Sequence, residues 1–248
     1  MTDVRTFARG VLRAVGLRGG EAEGGDTVAV PPDMWAWLAA TRKIRTVLDI
    51  GANDGSFAEF LAKRFNAAST HVFEPVPACL PALKARRRRI RDLRIHNVAL
   101  ADTRGRQRMF QNNYVPASSL LRVSQVTKDE FPQTGMEEPI TVDVARLDDI
   151  LRADSLEKEI FIKLDVQGME GGVIAGGRRV FGIADCVLIE MSFVEMYEGQ
   201  PLFEEVHAQL MGLGFCFAGM KNQVRSPRTG QPLFLHGLYV RDSTGARA

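Results

Sequence analysis

The groups in this chain best suited to chemistry are carboxylates that close short apolar runs. Asp165 ends the run Ile160 to Leu164, Glu190 ends Cys186 to Ile189, and Glu74 ends His71 to Phe73. Runs of this length and bounding read as strands, and open α/β sheets bind ligands in the crevice beyond the carboxyl ends of their strands. A carboxylate placed there can take the proton of a hydroxyl that acts as a nucleophile. Asp165 is the leading candidate for that base and Glu190 the second. Lys163 precedes Asp165 by two residues and shares its face of the strand, so it would pair with the acid and either tune it or form a structural ion pair. Glu170 follows a Val-Gln-Gly turn and falls in the first turn of the next helix, where capping of the loop and direct catalysis are both open to it.

A second constellation lies upstream, where Thr46 to Ser56 read Thr-Val-Leu-Asp-Ile-Gly-Ala-Asn-Asp-Gly-Ser. A ligand that lies close to the backbone where a strand turns into a helix needs residues without Cβ, and Gly51 and Gly55 supply them. Glu74, ending the next strand, could accept hydrogen bonds from both hydroxyls of a ribose. The pairing therefore predicts a bound nucleoside. A dinucleotide fingerprint would read Gly-x-Gly-x-x-Gly, whereas this turn carries Asp49 and Asp54, which repel a pyrophosphate and suit the ammonium and sulfonium of S-adenosylmethionine. The alternatives are an NAD-dependent oxidoreductase and a nucleoside-binding scaffold without catalysis.

Four stretches occur in the order of one known family: Val47 to Gly55, His71 to Pro75, Asn97 to Asp102, and Ile162 to Glu170. Over roughly Val47 to Arg241 the chain resembles the FkbM family of S-adenosylmethionine-dependent methyltransferases. The resemblance implies a class I methyltransferase (Rossmann-like) fold, a doubly wound, mostly parallel α/β sheet with a reversed C-terminal strand. It implies O-methylation of a hydroxyl on a sugar, glycoconjugate or natural product. It also implies a cofactor site built from Asp49, Gly51, Ala52, Asn53, Gly55, Glu74, Pro75, Asn97, Val98 and Ala99. The chain departs from the family at Gln167, where a Glu is usual, and at His236-Gly237, where an acidic residue is common.

The elements that must position these groups alternate as a parallel sheet requires: strands at 47–50, 71–74 and 93–97, with helices at 57–65 and 78–89 between them. Further strands are expected at 106–111, 140–145, 160–165 and 186–191. A helix is expected at 170–180 and another near 203–213, followed by a hairpin of 215–220 with 233–241. Asp33 suits the start of a helix over 34–41. The stretch from Gln111 to Pro139 is long and polar, the kind of connection that often contacts substrate. Its Asn113, Ser118 and Ser119, with Tyr197 and His236, are the candidate acceptor-binding residues. Asp165 and Glu190 could together hold one Mg²⁺, but the chain has no dense carboxylate cluster that requires it, and no metal is expected.

Length and composition narrow the classes. The chain has 248 residues, 45% hydrophobic and 25% charged, with a net charge of +2. That fits one catalytic domain over residues 26–248, preceded by a basic segment and Gly/Glu linker at 1–25 in which a membrane-surface helix is the minority reading. The balanced charge gives no field that would draw a nucleic acid, and the arginine run at 86–91 reads as a solvated outer helix. Three widely spaced cysteines argue against disulfides and zinc, and no apolar run is long enough to span a bilayer. A cytoplasmic enzyme acting on a small-molecule or glycan acceptor is the expectation, with oligomeric state open.

Overall fold

The computed structural model describes residues 33–241. The expected basic segment and linker at 1–25 lie outside the described residues.

A seven-stranded sheet carries the molecule, in the order β3-β2-β1-β7-β8-β10-β9. Its members are β1 (Thr46–Ile50), β2 (Ser69–Phe73), β3 (Leu93–His96), β7 (Ile160–Leu164), β8 (Cys186–Ser192), β9 (Phe215–Arg225) and β10 (Pro232–Arg241). The first five pair in parallel, and β10 inserts antiparallel between β8 and β9. This is the doubly wound arrangement with one reversed strand that the sequence implies. Every residue of β1 and β7 is buried, because a central parallel strand is covered by helices on both faces and so needs apolar side chains almost throughout. Asp49 and Lys163 break that rule together. They stand opposite each other in the β1–β7 register. The chain leaves β1 toward β2 while β7 lies on the other side, so the ligand crevice of the sheet opens between β1 and β7.

Helices Met34–Thr41 (α1), Ser56–Phe65 (α2), Leu80–Arg86 (α3), Glu170–Gly176, Arg178–Ile183 and Phe203–Gly212 flank the sheet. Asp33 caps α1, its Oδ1 accepting from the Ala36 amide at 2.7 Å. The helix expected across 78–89 is shorter: Pro77–Cys79 is a 3₁₀ turn, α3 ends at Arg86, and Arg87, Arg88 and Arg89 stand exposed beyond it. The helix expected over 170–180 breaks at Gly177. Its tight packing has a clear cause, since a Cβ on Gly176 would collide with the Ala101 carbonyl.

The strands at Gly105–Asn112 (β5) and Glu137–Ala145 (β6) join Ala99–Leu100 (β4) in a separate three-stranded sheet. Both are mostly exposed along one face, a pattern that fits a small sheet lying over the main one and would be wasteful inside it. All three cysteines are free thiols. No helix among the described residues is long and apolar enough to cross a membrane.

Candidate active site

A pocket of about 400 Å³ opens at the carboxyl ends of β1, β2 and β7, within the range of small-molecule sites. At one end the strand-to-helix turn after β1 folds back under Glu74. The Glu74 carboxylate accepts from the Asn53 amide at 2.8 Å and from the Val76 amide at 2.9 Å, and burial pushes its pKa up. Each oxygen keeps a further lone pair, and Glu74 lines the pocket. Gly51, Ala52, Asn53, Pro75, Val98 and Ala99 line it as well, while Leu100, Met109 and Val115 add apolar wall that the sequence reading did not name.

Three of the expected cofactor residues are placed otherwise. Asp49 is fully buried and faces Lys163 at 3.3 Å instead of lining the pocket. Gly55 is also withdrawn. It adopts φ +76° at the start of α2, and a Cβ there would press on Leu83. Asn97 braces the site from outside, its Nδ2 donating to the Glu74 carbonyl at 2.7 Å and to the Pro75 carbonyl at 3.1 Å. Gly51 does line the pocket, but the space its missing Cβ leaves is filled by the Asp165 carbonyl of the adjacent strand. The glycine serves the close approach of β7 and the left-handed turn at φ +77°, not room for the ligand.

At the other end stand the groups of β7, β8 and β10. His236 Nε2 lies 3.6 Å from Asp165 Oδ2 and 3.5 Å from Glu190 Oε2. Register explains part of this, because His236 and Glu190 are opposite each other in the β10–β8 ladder. Gln167 ties the group together. Its Nε2 donates to Asp165 Oδ1 at 2.7 Å and to Glu190 Oε1 at 3.1 Å, and its Oε1 accepts from the Tyr197 hydroxyl at 2.5 Å. The residue holds this position with a left-handed φ of +58°, uncommon for a side chain that is not Gly, Asn or Asp. The departure at Gln167 therefore places an amide donor between two carboxylates.

The electrostatics split the two acids. Burial opposes charge on Asp165, but the Lys163 ammonium and His236 more than offset it and hold this carboxyl well below the usual range. Burial and the charges of Asp165 and Glu170 push Glu190 well above that range. The two neighbouring acids are thus pushed in opposite directions, Asp165 toward the ionised form and Glu190 toward the neutral one. Lys163 reaches Asp49, Asp165 at 3.7 Å and the Gly51 carbonyl at 2.5 Å; burial disfavours its charge, yet the two carboxylates raise its pKa. Glu170 is buried away from the pocket, where it accepts from the Val166 and Gly168 amides at 2.9 and 3.0 Å and is pushed up to about 7 by burial. That geometry orders the turn carrying Asp165. The ligand atoms of Asp165, Glu190 and His236 lie within 4.8 Å of one another, a set of donor types able to hold a divalent ion, a role the sequence reading gave only to the two acids.

Among the acceptor candidates, Ser118, Ser119 and His236 line the pocket. Ser119 Oγ donates to the Gln167 carbonyl at 2.6 Å. Asn113 does not reach the pocket: it is exposed, with its amide against Met136 Sδ. Tyr197 is buried behind Gln167, so it supports that side chain instead of forming a wall for a sugar. Lys221, which sequence reasoning missed, lines the pocket from β9.

The profile of the methyltransferase FkbM domain matches residues 49–217. The chain belongs to the FkbM methyltransferase family. It is similar to the 2-O-methyltransferase NoeI of Sinorhizobium fredii, 32% identical over 160 residues that cover 62% of this chain and 66% of NoeI, just under two thirds of that protein's length. It is 29% identical to the 31-O-demethyl-FK506 methyltransferase FkbM of Streptomyces tacrolimicus, covering 74% of this chain and 80% of that one. A solved structure, Streptococcus pneumoniae Sp1610, a putative tRNA (m1A22) methyltransferase in complex with S-adenosyl-L-methionine, aligns over 84% of this chain and 71% of its own at 10% identity and a TM-score of 0.44. The pocket's chemistry fits S-adenosylmethionine, the expected donor. Glu74 offers carboxylate lone pairs for a ribose, Val98, Leu100 and Met109 offer apolar surface for a base, and the acidic groups near Asp165 suit a sulfonium.

Proposed function

We propose that this FkbM-family protein transfers a methyl group from S-adenosylmethionine to a hydroxyl of a sugar, glycoconjugate or natural product. The observation that carries the reading is the pairing of His236 with an ionised Asp165 in the pocket that Glu74 closes at its other end. The names of NoeI and FkbM, both oxygen methyltransferases, support a hydroxyl acceptor. When bound, the donor supplies an electrophilic methyl carbon on a sulfonium. The chain's own residues align the acceptor and manage its proton. Ser118 and Ser119 hold the acceptor side of the pocket, and much of the rate comes from that positioning. Neutral His236 takes the hydroxyl proton at Nε2, and the Asp165 Oδ2 beside that same nitrogen offsets the charge that then develops on the ring. Asp165 itself is a weak proton acceptor because the Lys163 ammonium holds its carboxyl so low. Gln167 and Glu190 fix the orientation of the pair. This reading keeps the expectation of a cytoplasmic enzyme with a small-molecule or glycan acceptor and no nucleic acid, since the arginine run at 86–91 lies outside the pocket.

Methyl-labelled donor tested against a panel of sugars, oligosaccharides and macrolides measures the activity directly. His236→Gln and Asp165→Asn should keep affinity for S-adenosylhomocysteine within about threefold while turnover falls by roughly 10²–10⁴-fold. Native turnover in His236→Gln would remove it as base. Donor binding without transfer to any acceptor would favour a nucleoside-binding scaffold.

A further inference from the structure

Lys221 has no part in the chemistry above, yet its position is specific. The β9–β10 ladder pairs His236 with Asn222 and Gly237 with Met220, so one residue of β9, Lys221, is left over at the register shift. A β-bulge of this kind re-aims a side chain and is common beside active sites. Here it sends Lys221 across the top of the sheet to place its ammonium 4.9 Å from the centroid of Phe57, in the first turn of α2. The side chain is half-buried and lines the same pocket as Glu74 and Asp165.

The other cations near this pocket are taken. Lys163 is held by Asp49 and Asp165, and Arg86 by Asp54 and Glu59. Among the described residues Lys221 forms no ion pair; Asp165 attracts it only from a distance, and burial pushes its pKa down. A cation drawn out of water and given only an aromatic face calls for an anion. Phe57 and Ser56 mark where: they line the pocket at the turn after β1, away from the Val98 and Leu100 wall suited to the base.

We propose that Lys221 binds the α-carboxylate of the methionine portion of the methyl donor, making the bulge in β9 a selectivity device for the whole amino acid. The inference rests on the reading of the pocket as an S-adenosylmethionine site. With Glu74 holding the ribose, it fixes both ends of the donor.

The test compares S-adenosylmethionine with its decarboxylated analogue, which keeps the sulfonium and amine and lacks only the carboxylate. By isothermal titration the native protein should prefer the carboxylated form, and Lys221→Met should lose about 10- to 100-fold of its affinity for that form while binding the analogue as before. Lys221→Arg should retain most of the preference. Equal loss for both compounds would mean that Lys221 only packs on Phe57, and unchanged affinity for both would place the carboxylate elsewhere; either overturns the proposal. If the native protein bound neither compound, the failure would lie with the reading of the pocket as a donor site, and the proposal would fall with it.

Discussion

Removal of the Lys163 ammonium tests how this site tolerates its own charges. Lys163→Met leaves Asp49, 0% exposed, with no counter-ion: the pair contact at 3.3 Å is lost and its charge stays desolvated. Deleting one member of a buried ion pair costs about 3–5 kcal/mol, because the remaining charge stays desolvated. For a chain of this length that corresponds to a melting temperature lower by roughly 6–20 °C. Burial already pushes the Asp49 pKa up, and loss of Lys163 raises it further. A carboxyl whose folded pKa is raised favours the native state below its unfolded pKa and loses that contribution as pH rises through the folded value. The deficit in Lys163→Met should therefore grow by about 1.4 kcal/mol per pH unit above the ordinary Asp range until the folded pKa is passed. Urea unfolding followed by circular dichroism at pH 5 and pH 8 measures it. Adding Asp49→Leu should recover most of the stability at pH 8, since two apolar groups can replace a buried pair at little cost. A deficit below about 1 kcal/mol, or one that does not change with pH, would refute this account of the pair.

Three other outcomes follow from the same geometry. Glu74→Gln should weaken binding of both S-adenosylhomocysteine and 5′-methylthioadenosine by about 1–3 kcal/mol in calorimetry, as both carry the ribose; equal affinity would remove Glu74 from the ribose. Gly51→Ala should destabilise by about 3 kcal/mol or more in urea, through the clash with Asp165 and the left-handed turn, and a stable variant that cannot bind donor would show that the ligand uses that space after all. His71 is held down to about 4, first by burial and then by His96 at 3.1 Å. Its contribution is fully present above about pH 6.5 and lost as pH falls toward 4, as much as about 3 kcal/mol; His71→Asn should flatten that acid limb in thermal melts.

The sheet was legible because its central strands are continuous apolar runs separated by helical spacing, and because glycine and acid mark their ends. The order of β10 came from resemblance, since no local signal tells a final strand to run backward. Glu74 and Asp165 were found because strand ends in such sheets face a crevice. Asp49 lies off the pocket for a related reason. Its sequence position suits a ligand, but only the β1–β7 register reveals that Lys163 stands opposite it. The separate sheet of β4, β5 and β6 was hidden because both its long strands carry ordinary alternating patterns that do not say which sheet they join. Lys221 left no trace in the sequence. A bulge depends on how two strands pair, and an isolated lysine in a polar hairpin looks like any solvated cation.

The place of β10 also bears on synthesis. Until residues 232–241 emerge from the ribosome, β8 is an open sheet edge bearing a largely buried run, Cys-Val-Leu-Ile-Glu-Met-Ser. Such an edge readily pairs with another chain. The hairpin that closes it is also the piece that delivers Lys221 and His236, so a nascent or truncated chain has an assembled nucleoside end, no proton acceptor, and an adhesive flank. Chaperone protection until the hairpin has closed on β8, and aggregation of forms trimmed before residue 232, are what this order of assembly entails.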